Sequence, residues 1–167
     1  MTADQTRKKV IKSALARKGK NQYSQDAKLR LKVDTGYGDC SSTARHHILK
    51  IAKIDIGGNT SSQILNEKGI DIDVAKNSDD WKPDISKLKI ADTVYFKGSN
   101  KSRPLGVGHV ETVSSVNYKK GTAELFGHGS GIGGRTIDLA TYCKQRHNNG
   151  IGYIKTKRWI LDDVVYK

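Results

Sequence analysis

What is scarce in this chain narrows what it can be. Only Cys40 and Cys143 occur among 167 residues, far too few for a disulfide framework and without the close pairing of a zinc motif. One bridge between them stays open. Two prolines and no low-complexity tract argue against a disordered chain, and no fixed-period repeat suggests a solenoid. No apolar run is long enough to span a bilayer. The opening residues, MTADQTRKKVIKSALARKGK, lack the unbroken apolar core of a secretory signal. The expectation is therefore a protein that stays inside, leaves by another route, or is a domain cut from a larger one.

Acidic residues are also short, at 17 against 30 Lys and Arg, which leaves a net charge of +13. Residues 1–32 hold ten Lys or Arg against Asp4 and Asp26. Such an excess favours a polyanionic partner, whether nucleic acid, anionic membrane or cell wall, and charge alone does not choose among them. A solvated basic face with no dedicated partner is the plain alternative.

Chain length fits one domain over residues 1–167 with a core of its own. Residues 1–20 read as a basic N-terminal helix, either accessory or derived from a linker. In TRKKVIKSALARKG, Val10, Ile11, Ala14 and Leu15 recur at helical spacing, with Gly19 as a stop. KNQYSQDAKLRLKVDTGYG reads as a loop. From Cys40 to Ile54, Ala44, Ile48, Ile51 and Ala52 mark an amphipathic helix, and Asp39 has the chemistry of its cap. NTSSQILNEKG reads as another short helix, and residues 70–90 as an irregular ordered loop. DTVYF, GHVETVSSV, TAELFGH and GIGYIKTKRWI then read as strands, interrupted by a short helical stretch at 137–144. Helices first and strands after predict an α+β fold with an antiparallel sheet.

Cys40 sits where a helix starts, and the free amides and dipole of a helix start favour a thiolate. A nucleophile also needs an imidazole to handle its proton. His46, His47 and His147 read as surface or structural residues. His109 and His128 differ. They flank the presumed hairpin turn NYKKG, and counting outward from the Tyr118–Lys119 bond sets them opposite each other on neighbouring strands. GHGSGIGG lacks the Lys-Ser/Thr of a phosphate-binding loop and reads as a flexible loop beside His128. Cys143 reads as a buried or half-buried thiol.

This order of residues resembles the NlpC-type cell-wall peptidases, which are papain-like cysteine enzymes. Their Asp-Cys-Ser-Gly motif appears as Asp39-Cys40-Ser41-Ser42, their His-Val step as His109-Val110, and their third polar residue as His128 in LFGHGSG. The Gly-Asp that precedes the histidine strand appears as Ala91-Asp92 in IADTVYF, and the tyrosine of the substrate cleft as Tyr23. The likeness spans roughly residues 20–160. It departs from the pattern at Ser42 and Ala91, where the family has glycine, and in the longer GSNKSRPLGVG segment.

The resemblance implies N-terminal helices packed on a C-terminal antiparallel sheet and a peptidoglycan endopeptidase with no metal or organic cofactor. It implies Cys40 as nucleophile, His109 as base and His128 as its orienting residue, with Tyr23, Asp39 and Ser41 binding the stem peptide. The implied bond is D-γ-glutamyl–diamino acid. The implied setting is the bacterial cell wall, reached by a phage-released protein or by part of a larger secreted one, acting as a monomer. A cysteine N-acetylmuramoyl-L-alanine amidase or acyltransferase on the same scaffold is one alternative. A non-catalytic basic module that binds nucleic acid is another, disfavoured because its basic residues are not interleaved with stacking aromatics. No nucleic-acid partner is therefore expected, and the positive charge finds its use on anionic wall polymers. Binding of the Cys40→Ala protein to purified walls should weaken steadily as salt is added, measured by co-sedimentation. Salt-insensitive binding would reject the electrostatic account.

Overall fold

The computed structural model describes residues 1–129 and 132–167, with nothing said of the Ile132 side chain. Part of the GHGSGIGG segment thus lies outside the described residues. Helix α1 (Ala3–Leu15) starts at a capping box in which Thr2 and Gln5 exchange side-chain and backbone bonds. Strand β1 (Asn21–Tyr23) and strand β2 (Tyr37–Gly38) flank two short 3₁₀ turns and lead into helix α2 (Cys40–Ala52). Helix α3 (Thr60–Leu65) follows, capped by Asn59. Strands β3 (Ile70–Val74), β4 (Thr93–Lys97), β5 (Val107–Asn117), β6 (Thr122–Gly127), β7 (Ile132–Gly133) and β8 (Arg135–Asp138) come next. Helix α4 (Leu139–Asn148) and strand β9 (Tyr153–Arg158) end the order.

Six strands form one antiparallel sheet in the order β3-β9-β4-β5-β6-β8, and β2-β1-β7 form a small second sheet. The α+β expectation therefore holds. Several strands were not legible as strands, β8 among them, since the helical stretch expected from 137 begins only at Leu139. β3 reads IDIDV, an edge strand whose Asp71 takes ion pairs from Lys155 and Lys157 of β9 at 2.8 and 3.3 Å. Its acidic residues look like loop until the basic strand beside it is known. β1 and β2 are too short to carry a periodic signal and owe their pairing to each other and to β7.

Alternation along the strands divides the core in two. Tyr95 and Val110 face α1, α2 and α3, joining Val10, Ile11, Ile48, Ile56, Ile64 and Trp159. Val94, Phe96, Val113 and Leu125 face the other way, where Leu139 and Cys143 of α4 cover them with Ile85 and Leu88. The basic helix α1 thus lays its Val10, Ile11 and Ala14 stripe into the same core as α2. Its Arg7 is also buried, paired with Asp162 at 2.7 Å. Cys143 is fully buried, and burial pushes its thiol up to about 12. Cys40 and Cys143 are both free thiols. No helix among the described residues is long and apolar enough to cross a membrane.

The long segment before His109 leaves the sheet after β4 and returns at β5. At its base the backbones of Gly98 and Gly108 cross so closely that a Cβ on either would collide with the other's Cα. Ala91, the other departure from the family pattern, is buried and holds φ at 69°. Its amide bonds Val113 O at 2.8 Å while Asp92 O accepts the Val113 amide at 2.8 Å, so the ladder fixes the strained turn. A left-handed alanine costs roughly 1 kcal/mol that glycine avoids. Ala91→Gly should therefore raise the melting temperature by about 2–4 °C in calorimetry. A lowered value would show that the buried methyl outweighs the strain.

Candidate active site

Asp39 sets where α2 begins. Its backbone is extended, and its Oδ1 accepts the Ser42 amide at 2.9 Å while the Asp39 amide donates to Ser42 Oγ at 2.9 Å. Ser42, which replaces the family glycine, is thus the reciprocal partner of the cap. Cys40 becomes the first helical residue, half-buried at the positive end of the helix. Gly38 just before it has no room for a side chain, since a Cβ would lie 2.7 Å from Thr43 Oγ1.

His109 reaches Cys40 from β5. Its imidazole is nearly enclosed, with Phe96 at 6.2 Å and Tyr142 at 6.0 Å between ring centres. Burial opposes its charged form, but contact with the Cys40 thiol and with the Glu111 carboxylate outweighs that and lifts its pKa to about 9. At neutral pH the ring is an imidazolium. Glu111 lies two residues further along the same strand, so both side chains share the α4 face. Its Oε1 stands 3.6 Å from His109 Nε2, an ion-pair contact just beyond hydrogen-bond length. The Glu111 side chain is fully buried, and Arg135 of β8 forms an ion pair with it. Burial opposes its charge, yet His109 and Arg135 hold the carboxyl below its ordinary range. Arg135 stacks in turn on Tyr142, 5.0 Å from the ring centre.

His128 does not face His109. The hairpin turn is centred one residue later than the sequence count places it, pairing Asn117 with Thr122. A register shift near Ser114 then absorbs one residue of β5, so Val113 meets Leu125 and Thr112 meets Phe126. Continued outward, that register brings Gly127 level with Glu111, and a Cβ on Gly127 would overlap the Glu111 carboxylate. His128 falls on the opposite face, toward α2. There it is buried against Tyr23, 5.9 Å between ring centres, and a Cβ on Gly133 would overlap its ring. Burial lowers its pKa, so it stays neutral.

Tyr23, half-buried on β1, does come close to Cys40. Burial raises its pKa first, and the nearby Cys40 and Asp39 add to the rise. Gln25 Nε2 donates to its hydroxyl at 2.7 Å. Asp39 and Ser41 are in another situation. Arg30 donates to both Asp39 oxygens at 2.8 and 3.2 Å and to Ser41 Oγ at 2.9 Å. Asp39 is buried, which by itself raises its pKa, but Arg30 and Ser42 bring the net shift below the usual carboxylate range. Asp39 and Ser41, expected to bind the stem peptide, are thus both engaged by Arg30. Nothing in LRLKV marked Arg30 as a partner, because a lone arginine in a polar loop has no periodicity.

His47 is buried with its Nδ1 2.9 Å from Ser13 Oγ, and burial drives its pKa down to about 3. His46 contacts Asp34 at 3.1 Å. Both have structural partners. Among the described residues no group of three or more His, Cys, Asp or Glu side chains is placed to hold a metal ion. Cavities of about 570 and 630 Å³ lie elsewhere, the first beside α1 and Lys89, the second beside Lys97 and His147.

No family model and no curated protein matches the chain. Among solved structures it is similar to the crystal structure of the NlpC/p60 domain of the peptidoglycan hydrolase SagA. The TM-score is 0.54, with 18% sequence identity over 91% of this chain and 97% of that one. The fold is that of an NlpC/p60 domain.

If Asp39 serves the cap and Arg30 rather than a ligand, Asp39→Ala should lower the unfolding free energy by about 2–4 kcal/mol in urea titration. Because the folded pKa is depressed, the wild-type stabilisation is present above the unfolded value and is lost as pH falls through the folded one. A loss below about 0.5 kcal/mol, the range of an exposed surface site, would free Asp39 for substrate.

Proposed function

We propose that this chain is a peptidoglycan hydrolase, a cysteine endopeptidase that cleaves the D-γ-glutamyl–diamino acid amide of bacterial stem peptides. The observation that carries the reading is Cys40, first residue of α2, close enough to His109 to raise the pKa of its imidazole. The fold likeness to a peptidoglycan hydrolase domain supports the substrate class.

In this mechanism the Cys40 thiolate attacks the amide carbonyl while His109 holds the proton. The Ser42 amide is taken by the cap, and the Cys40 amide at the helix start stabilises the tetrahedral oxyanion. His109 then delivers its proton to the departing amine, leaving a thioester on Cys40. Water, deprotonated by the now neutral imidazole, hydrolyses the thioester and restores the thiolate. Tyr23, close to Cys40, binds the stem peptide. The net positive charge holds the protein on anionic polymers of the wall where its substrate lies.

Purified walls from several bacteria should be solubilised by the wild type, with Cys40→Ala inactive and His109→Ala reduced by about 10²–10⁴-fold. Above a pH of about 9 the rate should fall, because His109 loses the proton the leaving amine requires. Mass spectra of the released muropeptides should show free diamino acid amines. Equal lysis by all three proteins would end the cysteine-hydrolase reading, and cleavage at muramoyl–alanine would move the assignment to an amidase.

A further inference from the structure

An imidazole that both takes and returns a proton must be held in one orientation, and the ladder register removes His128 from that task. We propose that Glu111, kept as a buried carboxylate by Arg135, is the positioning residue of His109. The inference rests on reading Cys40 and His109 as the reacting pair.

Four observations converge on it. Glu111 Oε1 is 3.6 Å from Nε2, so the other ring nitrogen, Nδ1, is left for the thiol. Neither His109 Nε2 nor Glu111 Oε2 has a hydrogen-bond partner among the described residues. A carboxylate with no exposed side-chain surface is a costly thing to retain, and one cation beside it offsets only part of that cost. Finally, Gly127 on the neighbouring strand clears the space the carboxylate fills, which any side chain there would close.

The charged and titratable groups around His109 come from four elements. α2 supplies Cys40, β5 supplies Glu111, β8 supplies Arg135, and α4 supplies Tyr142 and Arg146. Glu111 is the anion among them with direct contact to the ring. Arg135 fixes that anion and also keeps it from drawing the His109 proton away. Tyr142 roofs the arrangement, with Arg135 at 5.0 Å and Arg146 at 5.7 Å from its ring centre. A purely structural role for Glu111 would be to pin β5 to β8 through Arg135. That role predicts a stability loss but no specific change in how His109 titrates.

The test is an NMR titration of the His109 imidazole in the full chain and its variants. Glu111→Gln should lower the His109 pKa by at least about one unit, the size expected on losing a contacting opposite charge. Arg135→Gln should raise it or leave it, and His128→Gln should leave it unmoved. Should Glu111→Gln fail to fold because Arg135 is stranded, Glu111→Gln/Arg135→Gln removes both charges and should still show the fall. An unmoved His109 in the folded Glu111 variant, or an equal fall in His128→Gln, overturns the proposal.

Wall digestion by the same proteins separates this from the hydrolase reading. With Glu111→Gln, kcat should drop by about 10²-fold with KM little changed, and the alkaline limb should move to lower pH. The pKa fall without any wild-type lysis removes the hydrolase reading and leaves the pairing. Full lysis by Glu111→Gln with an unmoved pKa removes Glu111 and leaves the hydrolase.

Discussion

The Asp39 carboxylate takes the Ser42 amide and a two-pronged contact from Arg30, and this fixes the residue at which α2 starts. Had the helix begun one residue earlier or later, Cys40 would point some 100° away and lose the free first-turn amides. Placement of Cys40 is therefore a capping problem solved by three side chains: Asp39, Ser42 and Arg30. Arg30 also bonds Gly58 O at 2.7 Å, tying the loop before α2 to the loop before α3. The cost of that rigidity is that Asp39 and Ser41 no longer offer free groups to a ligand.

The sheet contributes a second constraint, that neighbouring residues on a strand face opposite ways. His109 and Glu111 lie on the α4 face with Val113, while Val110 faces the helices. His128 follows Gly127, which the register sets on the α4 face, and so turns to α2. The two histidines thus point to different faces rather than across the ladder at each other. His128 instead fills the corner between Gly38, Tyr23 and β7, where it packs the small sheet against the entrance to α2.

Much of this was legible in residue order. The amphipathic spacing of Ala44, Ile48 and Ala52 located α2, and the Val-rich segments located β4, β5, β6 and β9. Asp39 as a cap follows from its residue type and place. Register was not legible. The shift near Ser114 has no marker in VETVSSVN, since any residue can occupy such a bulge. Glu111 was passed over for a related reason: a glutamate in an alternating strand reads as a solvent-facing residue. Its burial depends on Arg135, which lies 24 positions away on a strand too short to announce itself. Charge pairs across non-adjacent strands are invisible until the sheet order is known.

The two glycine positions where this chain differs from the NlpC-type pattern are met by different means. At position 42 the serine adds what a glycine lacks, a hydroxyl that closes the capping box and is almost fully buried. At position 91 the alanine adds nothing the turn can use, and the backbone is held in a left-handed conformation by its surroundings. Next to it, Asp92 is buried between two Arg158 contacts at 2.9 and 2.7 Å and the Lys89 amide at 2.7 Å. Burial raises the pKa of that carboxyl, so this anchor carries stress of its own. Both features sit at the entrance to β4, the strand that pairs with β5 and sets the height of His109. The position of the imidazole is therefore secured at the far end of the hairpin by a strained turn and a buried ion pair, and near the thiol by Glu111.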